Sequence, residues 1–186
     1  MAVPGLRYLA GFVAQMEEAR LLAAVDAAPW LSDLKRRVQH YGYRYDYKAR
    51  KVVRSMYLGP LPDWVQPLAA RLVADEYMSA APDQLIVNEY EPGQGITAHV
   101  DCIPCFGPIV CSLTLGSPCV MELSEIDGDG FESLGLERGS LLVLAGSARY
   151  QWRHAIPGRK TDKVGGRSMP RRRRVSLTFR TVLLEA

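Results

Sequence analysis

Three histidines and one neighbouring carboxylate define the chemistry this chain can attempt. Only His40, His99 and His154 exist, so any histidine-based metal site must draw on these three plus carboxylates or thiolates. His99-Val100-Asp101 sets an imidazole and a carboxylate two residues apart, and in an extended segment such side chains share a face. His154 closes a β-forming run 55 residues later and is the natural third ligand. Two histidines and one carboxylate form a facial triad, which leaves coordination positions on Fe(II) open for co-substrate and oxygen. Taken alone, a His-x-Asp pair is more often a satisfied structural contact than a ligand set.

A second motif is Arg174-Val175-Ser176-Leu177-Thr178-Phe179-Arg180. Its strict alternation puts Val175, Leu177 and Phe179 on a core face and the four polar residues on the other. Two arginines on one strand face are each suited to a bidentate grip on a carboxylate; the plainer alternative is a solvated outer face. Asn88-Glu89-Tyr90 offers two further side chains with hydrogen-bond donors on one face, followed by a Pro92-Gly93 turn that leads to His99. Cys102-x2-Cys105 follows Asp101 directly. It lacks the second pair of a zinc ribbon, because Cys111 and Cys119 stand seven residues apart in between, so buried or loop thiols are expected there.

These residues need a scaffold, and the chain is long enough for one domain of 186 residues with its own core. A hydrophobic fraction of 48% and a charged fraction of 23% exclude disordered and fibrous classes. No apolar run is long enough to span a membrane, and the N-terminal Met-Ala-Val-Pro-Gly does not read as a signal peptide. With four cysteines confined between Cys102 and Cys119, a reducing cytoplasmic location is expected. Helices are expected at 15–28 and 62–79, the second bent near Pro67. Strand patterns follow at 85–90, 109–115, 119–123, 140–144, 149–154 and 174–180, without intervening helices. That order argues for an antiparallel sandwich or barrel. The segment 157–170 reads as a long basic loop. Trp30, Trp64 and Trp152 are assigned to core or rim packing.

The formal net charge of +3 conceals an asymmetry. From Arg138 onward, twelve Lys/Arg face only Asp162 and Glu185, whereas residues 1–137 carry 11 basic and 18 acidic side chains. Within that acidic part, residues 35–54 hold eight basic residues against Asp46 alone. Two separated basic segments point to a polyanion, since phosphate affinity comes mainly from Lys/Arg releasing counterions. In the run Arg171–Arg174 the last member faces inward by pattern, and the first three are expected to be solvated or phosphate-facing.

The order Asn88-x-Tyr90, Pro-Gly, His99-x-Asp101, Gly-Ser-x-Arg149, His154 and Arg174-x5-Arg180 resembles the AlkB family of Fe(II)- and 2-oxoglutarate-dependent dioxygenases. The resemblance runs from about Leu31 to Val182. PDQLIVNEYEPGQGITAHVD and LLVLAGSARYQWRHAI are most similar to the eukaryotic branch that hydroxylates a wobble-uridine side chain on tRNA, and bacterial alkylation-repair members share the same features. The resemblance implies a mainly β, α+β fold, a double-stranded β-helix (jelly roll) with N-terminal helices and a nucleotide-recognition lid. Over a single domain spanning 1–186, helices and lid would fill about 1–80 and the jelly-roll core about 81–186.

It further implies that His99, Asp101 and His154 hold Fe(II), and that Arg174 pairs with the distal carboxylate of 2-oxoglutarate. Asn88 and Tyr90 would hydrogen-bond this co-substrate, Arg180 would lie near its keto-acid end, and Ser176 would add a polar contact. The segment 38–45 matches the lid motif, where Tyr43 and Tyr45 would meet the substrate nucleotide and His40 would be a lid or surface residue. Ile103 departs from the bacterial repair pattern, which has a substrate-recognising carboxylate two residues after the metal Asp.

The implied reaction is oxidative dealkylation of nucleic-acid bases by a monomer using O2, Fe(II) and 2-oxoglutarate. Hydroxylation of a wobble uridine on tRNA is the alternative within the family. Two others lie outside it: a non-catalytic module binding nucleic acid and zinc through Cys102 and Cys105, and a dioxygenase acting on protein or a small molecule.

Overall fold

Alternating apolar residues make strands the dominant element. The structure, a computed structural model, describes residues 3–32, 34–164 and 166–184. In chain order they form β1 (Leu6–Leu9), α1 (Gln15–Ala27), β2 (Val38–Tyr41), α2 (Gln66–Ala74), β3 (Gln84–Tyr90), β4 (Ile96–His99), β5 (Ile109–Gly116), β6 (Cys119–Glu125), β7 (Phe131–Leu136) and β8 (Leu141–Ala145). The short helix α3 (Gly146–Tyr150) then precedes β9 (Trp152–Ile156), β10 (Thr161–Val164), β11 (Arg167–Pro170) and β12 (Arg174–Arg180). A six-stranded sheet runs β1-β8-β5-β12-β3-β2 and a four-stranded sheet runs β4-β9-β6-β7, with β10-β11 as a separate hairpin. Every strand pair is antiparallel.

Both faces of the large sheet are covered. One packs against α1 and α2, where Leu21, Val25, Leu68 and Leu72 meet Leu85, Val87, Leu113, Leu115, Val175, Leu177 and Phe179. The other meets the small sheet through Tyr90, Val110, Met121, Leu123, Leu142, Leu144, Trp152 and Ile156. Removing a side chain such as Phe179 or Leu123 from water is worth roughly 1.5–3 kcal/mol each, so these two layers fix the relative position of the sheets. The result is the expected mainly β sandwich with N-terminal helices.

Several elements differ from the sequence expectation, each for a local reason. The second helix spans only Gln66–Ala74, and Pro67 lies in its first turn, where a missing N–H costs nothing, rather than at a bend. The expected strand 149–154 is instead α3 followed by β9, because Gly146 takes a left-handed φ of +50° and starts a helical turn. Most of the expected loop 157–170 is the β10-β11 hairpin, although Gly165 and, in the basic C-terminal segment, Glu185 lie outside the described residues. The four-residue strands β1, β2 and β4 carry too few residues to announce themselves by pattern, and β7, with six, is interrupted by Gly135. Among the described residues, no helix is long and apolar enough to cross a membrane.

Two glycines bring segments together at the site. At Gly42, which leaves β2 with φ +76°, an added Cβ would lie 1.8 Å from the Asp83 carbonyl oxygen. At Gly95, just before β4, it would lie 2.1 Å from the carbonyl oxygen of Ile156. Close backbone approach at both points requires the absence of a side chain.

Candidate metal and co-substrate site

Strand register creates the centre. His99 of β4 pairs directly with His154 of β9, which sets the two rings side by side at 4.3 Å between centroids. Asp101 lies just beyond the end of β4, and its Oδ1 is 3.6 Å from His99 Nε2. One ligand atom from each of the three residues lies within 4.8 Å of the others, close enough for one ion to take all three. The Nδ1 of His99 is 2.8 Å from the Thr97 carbonyl oxygen. A carbonyl only accepts, so Nδ1 carries the proton and Nε2 keeps a lone pair for a metal. Burial pushes the His154 imidazole down to about 4, against the pull of Asp101, which keeps it in the neutral, ligating form at physiological pH.

The charge on Asp101 has a partner. Arg180 Nε is 3.1 Å from Oδ2 and its Nη2 is 3.3 Å from Oδ1. Burial works against ionisation of this carboxyl, but Arg180 and the two imidazoles hold it well below the usual carboxylate range. Arg180 is itself fixed by Gln84 Oε1 at 3.2 Å and by the Phe106 ring at 4.6 Å. Behind the loop that follows Asp101 sits Arg149 of α3, almost wholly buried. It donates to the carbonyls of Asp101 (3.0 Å), Cys102 (3.4 Å), Phe106 (3.2 Å) and Gly107 (3.3 Å). Its guanidinium thus acts as a clip that shapes residues 101–107.

A cavity of about 230 Å³ opens between the sheets at this centre, lined by the triad together with Asn88, Tyr90, Arg174, Ser176 and Arg180. Register again explains the grouping, since Arg174 lies opposite Tyr90 and Ser176 opposite Asn88. Arg174 is the notable member. Its Nη2 donates to Thr114 Oγ1 at 2.9 Å, while Nε and Nη1 are buried with no partner. A buried guanidinium with idle donors, facing a cavity with a metal triad, suits the free carboxylate of a dicarboxylic co-substrate. The residues present therefore fit both the metal and 2-oxoglutarate.

Of the two tyrosines expected to meet substrate, Tyr45 lines the cavity. Tyr43 does not; it packs against Tyr57 at 5.0 Å between centroids. His40, on β2, accepts the Tyr45 backbone N–H at 3.3 Å. Ile103 is exposed in the turn after Asp101 and lies outside the cavity lining. Sequence reading missed Arg36, Tyr47 and Arg50, which also line the cavity. For Tyr47 a signal existed, as tyrosines recur at every second position from Tyr41 to Tyr47. Arg36 donates to Asn88 Oδ1 at 2.8 Å, a contact between residues 52 apart that no local pattern encodes.

Two further expectations are corrected. Cys102 and Cys105 are joined in a disulfide instead of standing as thiols, which leaves no thiolate pair for zinc; Cys111 and Cys119 are free and buried. Among the described residues, His99, Asp101 and His154 are the group of three able to hold a metal. Of the three arginines expected to face solvent or phosphate, Arg172 is exposed, but Arg171 is buried against Asp162 (2.5 Å) and the partly exposed Arg173 is held by Glu89 (2.6 Å) and Asp26 (2.5 Å).

A two-sheet sandwich with a two-histidine, one-carboxylate centre and a buried carboxylate-binding arginine is the architecture of an Fe(II)- and 2-oxoglutarate-dependent dioxygenase. The family model of the 2OG-Fe(II) oxygenase superfamily matches residues 27–180. The chain belongs to this superfamily and to its AlkB-like branch, whose members use Fe(II), 2-oxoglutarate and O2. It is 41% identical to the Arabidopsis thaliana "Alkylated DNA repair protein ALKBH8 homolog" over 97% of its length, spanning 59% of that protein. It is 39% identical to the Macaca fascicularis "tRNA (carboxymethyluridine(34)-5-O)-methyltransferase ALKBH8", of which it spans 25%. With the Danio rerio "Probable RNA/DNA demethylase ALKBH6" it shares 30% identity, covering 87% of that protein. In fold it is similar to the solved structure of OsALKBH1, with a TM-score of 0.75 at 17% identity, covering 97% of this chain and 98% of that one.

Proposed function

We propose that this dioxygenase oxidatively dealkylates nucleic-acid bases. The observation that carries the reading is the composition of the cavity. The metal triad and the idle Arg174 donors share one cavity with Tyr45 and Tyr47, two aromatic rings able to stack on a base, and with Arg36 and Arg50, two cations able to meet a phosphate. His99, Asp101 and His154 would hold Fe(II). Arg174, with Thr114 behind it, would take the distal carboxylate of 2-oxoglutarate, and Asn88, Tyr90 and Ser176 would hydrogen-bond its body. Arg180 would act through Asp101, holding that carboxylate ionised and in place. The bound metal and co-substrate supply oxidation of a substrate C–H, with succinate and CO2 as co-products.

The chain's own residues do the selecting and positioning. Within a single catalytic domain, the segment that carries Tyr45, Tyr47 and Arg50 would form the lid over one side of the cavity, and a base must leave its stack to enter. Hydroxylation of an N-alkyl carbon then gives a hemiaminal that releases aldehyde and the restored base. Similarity to the ALKBH8 proteins favours one second reading, hydroxylation of a wobble-uridine substituent on tRNA. One assay separates them. With Fe(II), 2-oxoglutarate and methylated or etheno-adducted oligonucleotides, dealkylation gives succinate and aldehyde in equal amounts. With bulk tRNA, the second reading gives succinate and a nucleoside heavier by one oxygen, without aldehyde. Absence of succinate above a His99→Ala control with every nucleic acid would reject both.

A further inference from the structure

The oxygenase chemistry leaves one pair of side chains unused, and that pair is the next thing in the chain after Asp101. Cys102 and Cys105 are both buried, yet Cys102 lines the cavity, which gives a small oxidant or thiol a route to it. Facing the two sulfurs is the backbone of Arg50, a non-glycine residue at φ +50°. Its carbonyl oxygen lies 3.2 Å from Cys102 Sγ and 3.3 Å from Cys105 Sγ. Sulfurs bonded to each other have no proton to donate, whereas thiols do. Reduction therefore turns a bare sulfur–oxygen contact into S–H···O hydrogen bonds, and oxidation abolishes them.

Those bonds would join two segments that already share a small interface. Val52 belongs to the same apolar cluster as Cys102, Cys105 and Phe106, with Tyr43 and Tyr45 packed against it. Tyr45 meets Phe106 at 5.4 Å between ring centroids. On one side of this interface stands the loop clipped by Arg149, and on the other the basic segment that brings Tyr45 and Arg50 to the cavity. The two free thiols, Cys111 and Cys119, are buried in other clusters than this one, and burial pushes Cys111 up to about 12, so it does not compete as a thiolate.

We propose that Cys102 and Cys105 form a reversible dithiol–disulfide centre whose reduced form adds hydrogen bonds that hold residues 43–54 more tightly to the 101–107 loop, and whose oxidised form leaves them held by apolar contact without those bonds. The oxidant is a peroxide. One thiolate attacks the O–O bond to give a sulfenic acid and, after proton transfer, water. The second thiol then displaces the sulfenic oxygen as a second water and closes the S–S bond. A small dithiol reverses this by exchange, becoming a disulfide itself and returning two electrons and two protons to the pair. The centre requires no particular substrate, so its test stands apart from the dealkylation assay.

The test compares the 186-residue chain reduced with a dithiol and then freed of it against the same chain oxidised with hydrogen peroxide. Intact mass should report the loss of two hydrogens on oxidation. Limited trypsin digestion, read by mass spectrometry, then scores cleavage after Arg44, Lys48, Arg50 and Lys51. Cleavage there should be about fivefold faster in the oxidised protein, the worth of one ordinary hydrogen bond. Replacing Cys102→Ala and Cys105→Ala together should give the fast rate under both conditions. Cys102→Ser with Cys105→Ser retains donors to the Arg50 carbonyl and should give the slow rate under both. Equal rates for reduced and oxidised wild-type protein would overturn the proposal, as would a redox-dependent rate that persists in the alanine pair or a failure of peroxide to close the bond. Should the alanine pair not fold, the wild-type comparison and the serine pair still decide.

Discussion

Arg174 offers the sharpest quantitative test of the co-substrate site, because its effects on stability and on binding should have opposite signs. In the free protein its guanidinium is buried, with one bond to Thr114 and a Tyr90 ring at 5.4 Å, while Nε and Nη1 have no partner. Two buried donors without partners together cost about 2 kcal/mol or more, against which the Thr114 bond and the ring return about 1–2 kcal/mol. Arg174→Met removes both sides of this balance and keeps an unbranched apolar stem. The free variant should therefore be as stable as the parent or more so, with Tm between unchanged and about 5 °C higher. Binding should move the other way. Two hydrogen bonds from a charged donor to a carboxylate are worth about 3 kcal/mol or more, so the KM for 2-oxoglutarate should rise at least about 100-fold. Arg174→Lys keeps the charge without the fork and should fall in between. Differential scanning fluorimetry with and without the co-substrate, followed by succinate-release kinetics, measures both arms. A Tm loss in free Arg174→Met, or a thermal shift with 2-oxoglutarate equal to that of the parent, would refute the assignment. Arg180→Met makes the contrast, since it strands buried Asp101; it should lose about 3–5 kcal/mol and lower Tm by about 10 °C.

Arg149→Lys, which cannot reach four carbonyls at once, should weaken metal binding about 10–100-fold in a Co(II) titration while leaving the fold intact by circular dichroism. Asp162 is fully buried, and although burial opposes its charge, Arg171 and Arg159 hold its carboxyl below the usual range. A depressed carboxyl contributes stability that is complete above the ordinary carboxylate range and drains away as pH falls from that range through the lowered folded-state value. Urea unfolding between pH 7 and pH 3 should show Asp162→Asn weaker by about 3 kcal/mol at neutral pH, with a flatter acid limb than the parent. Lys48 and Lys51 lie exposed on the segment beside the cavity, so Lys48→Ala and Lys51→Ala should each lower the salt slope of oligonucleotide binding by about one, measured by fluorescence anisotropy.

What could be read in the sequence was what local spacing determines. Strand β12 is the clearest case: alternation assigns Val175, Leu177 and Phe179 to the helix-covered face and Arg174, Ser176, Thr178 and Arg180 to the cavity. The triad was legible for a related reason, since only three histidines exist and one of them stands two residues from an aspartate. The α3 turn was not legible, because Arg149 and Trp152 look like strand residues until Gly146 breaks the extended path. The β10-β11 hairpin was hidden by its loop-like composition, and its anchor is the ion pairing of Asp162 with Arg159 and Arg171.

The same limit governs the charge argument. Counting arginines toward the C-terminus suggested a surface for a polyanion, but ion pairs are tertiary facts. Arg138 pairs with Glu18 across 120 residues, Arg173 reaches Asp26 across 147, and Arg159 and Arg171 converge on Asp162. Arg149, Arg174 and Arg180 are buried, two of them donating to the loop and carboxylate that shape the metal centre and the third facing the cavity. A net count cannot distinguish an arginine that is buried or ion-paired from one that is free to meet a partner, and Arg138, Arg149, Arg159, Arg171, Arg173, Arg174 and Arg180 belong to the first kind. In the 44–54 segment, Lys48, Arg50 and Lys51 remain exposed, and Arg50 also lines the cavity. The charge available to a nucleic acid is therefore smaller than the composition implies, and it is divided between the N-terminal segment beside the mouth of the cavity and the exposed Arg153, Lys160, Lys163, Arg167 and Arg172.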